Sequence, residues 1–326
     1  MERIRERKSR PYHERTDATE RVRASPYPQR SHVTRKHPHC MEAGLRLYTS
    51  VFHEILCHGR FPRRKYVPRD PSRASSVLHL GQRKLLMSEI GALLRLNADT
   101  NYVAVYAGAA PGIHTPLLAE MFPNVTLHLY DPAPFKIEAS KQIKLFNMCF
   151  TDDIARSYAQ NEYPNLVFIC DIRRTCDERA VWEDMQSQMR WHEIMNPCLT
   201  SLKFRLPWPG NGVVDDSNQV EYLNGDIYLP IWGPVSTTES RLVIEQGVHA
   251  RNSKRIYDCL AYEEEMCYFN RVVRPSIHNE QREFSRGLDG CYDCTAEVRL
   301  LERYHTIWWH TTISTDKISL VLRRGI

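Results

Sequence analysis

The chain has 326 residues, 42% of them hydrophobic and 25% charged, which is typical of a soluble globular protein. It begins MERIRERKSR, with charges where a signal peptide needs an apolar stretch, and no run approaches the roughly 20 apolar residues that span a bilayer. We therefore expect neither secretion nor a membrane partner.

Residues 1–40 hold the excess positive charge. They contain eleven Lys or Arg against five acids, a net of +6, whereas the whole chain carries +5. Few apolar side chains and many arginines predict a disordered basic arm. The arm is either a solvated tail without a function or a segment that holds nucleic acid electrostatically.

Residues 41–74 predict an N-terminal helix and a connector. Helical spacing over 41–60 places Leu45, Val51, Ile55 and Leu56 on one face, and the Pro- and Arg-rich stretch FPRRKYVPRDPSR follows.

Short apolar strands alternate with helices from about residue 75 to 275. GQRKLLMSEIGALLRLN predicts a helix, YVAVYAG a strand, GIHTPLLAEMF a helix and TLHLYDP a strand; residues 136–147 predict a helix or loop. NLVFICDIR, LTSLKFRLPW, GDIYLPIW and SRLVIEQ predict strands, and residues 177–195 and 257–273 predict helices. This alternation indicates one α/β domain with a mostly parallel sheet and helices on both faces.

Residues 276–326 form a C-terminal extension whose role is open. EVRLLERYHTIWWH predicts a helix and KISLVLRR a strand. Cys291 and Cys294 are the one cysteine pair with metal-ligand spacing, but they lack the second pair that a zinc site needs. The scattered cysteines indicate free thiols in a reducing compartment, and we expect no metal.

The first strand ends in the glycine turn Gly108-Ala-Ala-Pro-Gly112. In a doubly wound sheet, glycines here let the backbone approach a ligand outside the carboxyl ends of the strands. The dehydrogenase pattern G-x-G-x-x-G is absent, and a proline in the turn favours a nucleoside over a pyrophosphate. Asp131 ends the next strand, where a carboxylate can accept hydrogen bonds from ribose hydroxyls, so an adenosyl ligand such as S-adenosylmethionine is expected.

Four further charged residues occupy unusual places. Asp171 ends an apolar strand, Lys84 lies in a helix beside Leu85 and Leu86, Lys203 lies inside a strand, and Glu239 begins one. A carboxylate at the end of a central strand is costly unless it is paired, so Asp171 is expected to face the ligand crevice with a cation beside it. Taken individually, Lys84 is explained as a helix lysine that reaches solvent and Glu239 as a solvated strand start.

Together, GQRKLL, GAAPGIH, YDP, CDIRR, SLKFRLPWP, TTESRL and YEEEMCYFN resemble the poxvirus cap-specific mRNA 2′-O-methyltransferase family, whose members also serve as the small regulatory subunit of the viral poly(A) polymerase. The resemblance covers about residues 62–275. It implies a Rossmann-like, RrmJ/FtsJ-like methyltransferase fold and a catalytic Lys-Asp-Lys-Glu tetrad of Lys84, Asp171, Lys203 and Glu239. Lys203 would be the base that deprotonates the ribose 2′-hydroxyl, helped by the charge of Lys84, while the two acids hold the lysines.

The resemblance also implies ligand contacts. Cofactor residues would be Gly108, Ala110, Pro111, Gly112, His114, Asp131, Thr151 and Asp171. The family has an arginine shortly after the ribose aspartate, where this chain has Ala133. The methylated guanine of the cap would stack between Tyr66 and Trp208 and bond to Glu263, while Gly210 stands where the family has a second acid.

The implied activity is methylation of the first transcribed nucleotide of m7G-capped mRNA. The alternative, or additional, function is an RNA-binding processivity subunit for a poly(A) polymerase catalytic subunit. Arg173, Arg174 and Arg205 are candidate RNA contacts, although Arg173 and Arg174 could instead pair with Asp177 and Glu178. A nicotinamide dehydrogenase is disfavoured by the glycine turn. The family implies the host cytoplasm, in a viral factory, or the virion.

Overall fold

A computed structural model describes residues 53–67, 81–160, 163–276 and 291–309. The expected basic arm of residues 1–40, the first part of the expected N-terminal helix and the expected strand at KISLVLRR lie outside these ranges.

A seven-stranded sheet organises the described residues. Its order is β3-β2-β1-β4-β5-β8-β7; the first five strands in this order are parallel, and β8 runs antiparallel to both of its neighbours, β5 and β7. The strands are β1 Tyr102–Ala107, β2 Val125–Tyr130, β3 Ile143–Phe146, β4 Leu166–Cys170, β5 Leu199–Phe204, β7 Asp226–Tyr228 and β8 Ser240–Glu245. A separate antiparallel pair joins β6 Gln219–Leu223 to β9 Lys254–Asp258.

Helices cover the sheet and connect its strands. They are α1 Gly81–Leu93, α2 Thr115–Met121, α3 Asp152–Gln160, α4 Glu178–Met195, α5 Cys259–Tyr268, the short α6 Arg274–Ser276 and α7 Tyr292–Trp308, with a π-helical turn at Phe269–Val273. The strand order 3-2-1-4-5 with crossover helices is that of the Rossmann-like doubly wound fold, so the expected fold class is confirmed. Among the described helices, none combines the length and apolar character needed to cross a membrane.

The two faces of the sheet have separate cores. On β1, Ala104 and Tyr106 face a core shared with α1, α2 and α7, whereas Val105 and Ala107 face a core shared with α3, α4 and α5. Residues 291–309 of the expected C-terminal extension therefore pack into the same core as the helix that carries Lys84.

Several elements differ from the sequence-based expectations. Residues 53–60 are not helical; Leu56 is buried, its backbone N–H bonds to Ile227, and Ile55 bridges Tyr228, so this segment pairs with the sheet edge at β7. Residues 143–146, expected as helix or loop, form edge strand β3, because pairing with β2 satisfies their backbone groups. Helix α3 and the pair β6–β9 were not predicted.

Candidate active site and family membership

The candidate site lies at the carboxyl ends of the parallel strands. Gly108 follows β1, Asp131 follows β2, Asp171 follows β4, and Lys203 lies near the end of β5. Glu239 immediately precedes β8, whose first residue pairs with the last residue of β5, so antiparallel β8 brings Glu239 to the same edge. The topology thus gathers residues that are distant in sequence.

The glycine turn brings the backbone of β1 against that of β4. Gly108 has a φ of +81°, and a Cβ at this position would lie 2.7 Å from the backbone N of Ile172 and 2.8 Å from the carbonyl C of Asp171. Gly112 has a φ of +72°, and a Cβ there would lie 3.2 Å from Ile137 Cδ1. Glycine at position 108 therefore permits the ends of β1 and β4 to approach closely, and both glycines adopt left-handed backbone conformations that other residues disfavour.

Asp131 stabilises this turn. Its Oδ2 accepts a hydrogen bond from the backbone N–H of Ala110 (3.0 Å), and its Oδ1 accepts one from that of Ala133 (2.8 Å). Each carboxylate oxygen retains a second lone pair, so the half-buried side chain can still accept from ribose hydroxyls. Ala110 and Pro111 are joined by a cis peptide bond within the same turn.

The four tetrad residues form one ionic cluster. Lys84 Nζ donates to Glu239 Oε1, while Lys203 Nζ lies 3.6 Å from Glu239 Oε2 and 3.3 Å from Asp171 Oδ1. Lys203 is buried within β5, and Lys84 and Glu239 remain partly accessible. Lys203 therefore lies between two carboxylates at the edge of the crevice.

Arg241 is a fifth charge in this cluster that the sequence did not reveal. It is buried on β8 opposite Lys203 in the strand register, and its guanidinium donates to Asp171 Oδ1. Burial by itself would raise the pKa of Asp171, but Arg241 and Lys203 outweigh it and hold the pKa below its ordinary value. For Glu239 the same balance of burial against Lys203 and Lys84 gives a pKa well below the usual range. Both carboxylates are therefore ionised.

His114 lies directly beneath the glycine turn and is fully buried. Its Nδ1 is 2.8 Å from Gln82 Oε1 and its Nε2 is 2.9 Å from Glu89 Oε1, so both ring nitrogens form hydrogen bonds with side chains of α1. The ring thus joins the turn to the helix that carries Lys84. Thr151 accepts at its Oγ1 from the backbone N–H of Ile154 (3.3 Å) and so caps α3. Cofactor contact by either residue stays a prediction.

A second group of expected residues lies beyond β5. The rings of Tyr66 and Trp208, 142 positions apart in the numbering of the chain, have centroids 5.5 Å apart with planes inclined by 45°. Burial, followed by Glu263 and Cys267, raises the pKa of Tyr66, and burial with Glu264 raises the pKa of Glu263. The structure therefore places the three expected cap-binding residues in one cluster.

Glu178 and Arg205 complete this cluster. Glu178, the first residue of α4, accepts at Oε2 from the backbone N–H of Trp208 (3.0 Å) and at Oε1 from Arg205. The Arg205 guanidinium carbon lies 4.9 Å from the Trp208 ring centre, a cation–π contact. Of the expected RNA contacts, Arg205 thus adjoins the aromatic pair. Gly210 nearby has nothing within 4 Å of the place a Cβ would take.

Arg173 and Arg174 make contacts other than the ones considered from sequence. Arg174 Nε lies 2.6 Å from Asp184 Oδ1 and its NH2 lies 3.0 Å from Glu183 Oε2, while Arg173 NH1 lies 4.0 Å from Asp184 Oδ2. Their partners are therefore the acids of the second turn of α4, since the loop reaches past Asp177 and Glu178. Arg174 remains half exposed and open to an RNA phosphate, whereas Arg173 is largely buried.

Cys291 and Cys294 are buried at the start of α7. Within the described ranges, no group of three or more His, Cys, Asp or Glu side chains is placed to hold a metal ion.

Comparison with known proteins places the chain in a family. A family model described as "Poly A polymerase regulatory subunit" matches residues 62–313. A cap-specific mRNA (nucleoside-2′-O-)-methyltransferase of Myxoma virus (strain Lausanne) is 26% identical over 234 residues, covering 65% of this chain and 67% of that protein. The Fowlpox virus (strain NVSL) protein of the same name is 27% identical over 225 residues, covering 60% of this chain and 68% of its own.

Among solved structures, a crystal structure of human methyltransferase-like protein 13 in complex with SAH is similar to this chain, with a TM-score of 0.31 and 14% sequence identity. The similarity covers 58% of this chain and 91% of the human chain.

The family match spans the glycine turn, the ionic cluster, the aromatic pair and α7. The resemblance seen in the sequence is therefore confirmed, and the chain belongs to the poly(A) polymerase regulatory subunit family.

Proposed function

We propose that the chain is an S-adenosylmethionine-dependent methyltransferase that methylates the ribose 2′-hydroxyl of the first transcribed nucleotide of m7G-capped viral mRNA, in the host cytoplasm. The observation that carries this proposal is Lys203, a buried lysine set between Asp171 and Glu239 at the ligand edge of the sheet. The viral relatives are named for the same reaction.

S-adenosylmethionine supplies an electrophilic methyl group when bound. Gly108 and Gly112 would let the backbone approach the adenosyl part, and Asp131 would accept hydrogen bonds from the ribose hydroxyls. Asp171 lies between the turn and Lys203, so the cofactor and the acceptor hydroxyl would meet beside it.

Lys203 would act on the acceptor nucleotide. In its neutral amine form, its Nζ would accept a hydrogen bond from the 2′-hydroxyl, direct the oxygen towards the methyl group and take up the hydroxyl proton, becoming an ammonium, as the methyl group is transferred. Lys84 and Arg241 add positive charge beside the developing oxyanion, while Asp171 and Glu239 limit the repulsion between the cations. This division of roles explains why two carboxylates and three cations lie within one cluster.

The cap would bind at Tyr66, Trp208 and Glu263. The methylated guanine is cationic, and the rings of Tyr66 and Trp208 offer π-faces beside a carboxylate. The rings are now in mutual contact, so a base that stacks between them would have to separate them. Arg205 would then move from the face of Trp208 towards the phosphates.

The proposal is tested by transfer of labelled methyl to short RNAs. Wild-type protein should methylate RNA beginning m7GpppN, but neither uncapped RNA nor capped RNA with a 2′-deoxy first nucleotide. Lys203→Ala should reduce kcat by at least about 100-fold, because general-base catalysis contributes this much or more. Lys254→Ala is the matched control. It removes a lysine of β9 that pairs with Glu193 of α4, and it should keep full activity. RNA binding by the wild type without any transfer would refute the proposal.

We also propose that the chain is a regulatory subunit of a poly(A) polymerase, because the family model carries that description. In this second function it would bind the polymerase catalytic subunit and RNA together. The catalytic subunit encoded by the same genome should make longer tails when this protein is added, and Lys203→Ala should support the same elongation. Unchanged tail length at saturating protein would argue against this function.

A further inference from the structure

The ion pair between Lys84 and Glu239 joins helix α1 to the loop that precedes β8. Lys84 lies in the first turns of α1, and Glu239 ends the loop of residues 229–239 between β7 and β8. A shift of either element would change the charge around Lys203. Other contacts in the fold must therefore fix the positions of α1 and of this loop.

Glu297 on α7 contacts both elements. Its carboxylate is fully buried, accepts from Arg83 Nε (2.6 Å) and NH2, and accepts from the indole Nε1 of Trp232 at 2.7 Å. Arg83 directly precedes Lys84 in the chain, and Trp232 lies in the loop that leads to Glu239. One carboxylate on α7 therefore binds both the residue next to Lys84 and the loop that ends at Glu239.

Asp293, one helical turn before Glu297, holds the same loop. Its Oδ1 accepts from the backbone N–H of Trp232 (3.0 Å), and its carboxylate pairs with the buried Arg274, with Oδ2 2.8 Å from NH2. Arg274 NH1 in turn donates to the carbonyl of Gly233 at 2.8 Å. The loop is thus tied to α7 at two successive residues.

The backbone at Trp232 shows that these contacts are needed. Its φ is +60°, the left-handed region that a bulky residue avoids, and such a conformation persists only where the surroundings impose it. Here the carboxylate of Asp293 accepts from the backbone N–H of Trp232, and that of Glu297 accepts from its indole N–H, so both hold this backbone conformation.

A pocket lies between α1 and α7 beside the ion pair. Its volume is ≈ 50 Å³, and it is lined by Lys84 and Met87 of α1, Ala296 and Leu300 of α7, and Glu239. The apolar side chains of the two helices share one core, and the buried Arg83–Glu297 ion pair joins the helices at the residue next to Lys84.

We infer that Glu297, supported by Asp293, is a positioning residue for methyl transfer: α7 sets the geometry of the Lys84–Glu239 pair and through it the environment of Lys203. The inference rests on the proposed function. It gives α7 a part in the site although its acids touch neither the expected cofactor turn nor the expected cap residues.

The test is the kinetics of Glu297→Gln, which keeps the shape of the side chain but turns an amide N–H₂ towards donors. We expect kcat to fall about 10- to 100-fold, because small misplacement of catalytic groups has effects of this size, while KM for capped RNA and for S-adenosylmethionine stays within about twofold. Glu265→Gln is the matched control, since Glu265 is also fully buried and accepts from the Gly59 backbone N–H at 2.7 Å. It should lose comparable stability and keep kcat.

A double-mutant cycle separates positioning from a general loss of structure. In a Lys84→Ala background, Glu297→Gln should cause no further loss of single-turnover rate, because the pair it positions is already gone. An equal further loss, or an unchanged kcat in the single variant, would overturn the inference. If Glu297→Gln fails to fold, Trp232→Phe removes the indole donor while it keeps an aromatic ring near Arg83, and it should lower kcat about threefold, again only when Lys84 is present. Absence of transfer by the wild type would refute the proposed function instead.

Discussion

Single residues in the ionic cluster are recognisable from sequence when a charge interrupts an apolar run. Lys203 and Asp171 stand out in this way, because burying a charge is costly unless a partner compensates for it. Arg241 does not, since it follows Glu239 in TTESRL and reads as part of a solvated strand start. Its burial beside Asp171 results from the antiparallel pairing of β8 with β5, which no local pattern encodes.

Gly108 gives a residue-scale prediction. Gly108→Ala should weaken both S-adenosylmethionine binding and stability, because the new Cβ meets the Ile172 backbone N at 2.7 Å and backbone atoms cannot move aside. Gly210→Ala is the control, with a similar φ of +76° but open space around the Cβ. Both variants should lose about 1 kcal/mol from the left-handed conformation, and Gly108→Ala about 2 kcal/mol more from overlap. Urea unfolding and titration calorimetry measure these losses; equal losses in the two variants would contradict the prediction.

At the scale of elements, the strongly periodic segments were predictable and the edges were not. The buried strand LVFIC and the helix at residues 178–195 follow directly from apolar runs and helical spacing. Helix α3 has a local signal in the sequence, since a threonine followed by two aspartates is a common helix start. Strand β3 and the bridge at Ile55 depend on the neighbouring strand, so their short sequences could not reveal them.

Helix α4 carries a prediction about pH. Burial lowers the pKa of His192 to about 4, and its Nδ1 lies 2.9 Å from Thr200 Oγ1. The native ring stays neutral while the unfolded chain takes up a proton below about pH 6.5, so stability is lost as the pH falls from 6.5 towards 4. At pH 5 this loss amounts to about 2 kcal/mol.

His192→Gln cannot titrate and can still bond to Thr200. Urea unfolding at pH 7 and pH 5 should show that the wild type loses about 2 kcal/mol more than this variant between the two values. The same pH dependence in both proteins would show that another group is responsible.

At the scale of the whole molecule, the segments before and after the sheet differ in what they contribute. The C-terminal helix, which the sequence marks only as helical, packs into the core behind α1 and contributes Glu297 and Asp293 beside the site. The positive excess instead belongs to residues 1–40, outside the described ranges, and removing their net +6 from the +5 of the chain leaves −1.

Deleting residues 1–40 should weaken RNA binding and flatten its dependence on salt. Binding releases fewer counterions for each phosphate contact that the deletion removes, so the slope of log K against log salt becomes shallower. Fluorescence anisotropy with capped RNA at several salt concentrations measures both effects. An unchanged slope would show that the arm does not contact RNA, whatever the change in methyl transfer.

The sequence by itself determined the fold class and the glycine turn, because these depend on local periodicity and on backbone freedom at Gly108. The four tetrad residues were indicated by the resemblance of the motifs to the family, since each charge taken alone has an ordinary structural explanation. Only the tertiary structure decided that Arg241 joins the tetrad, that His114 binds Gln82 and Glu89, and that Tyr66 meets Trp208. These contacts join residues far apart in the chain. They depend on which strands become neighbours, and this is settled by the packing of the whole domain.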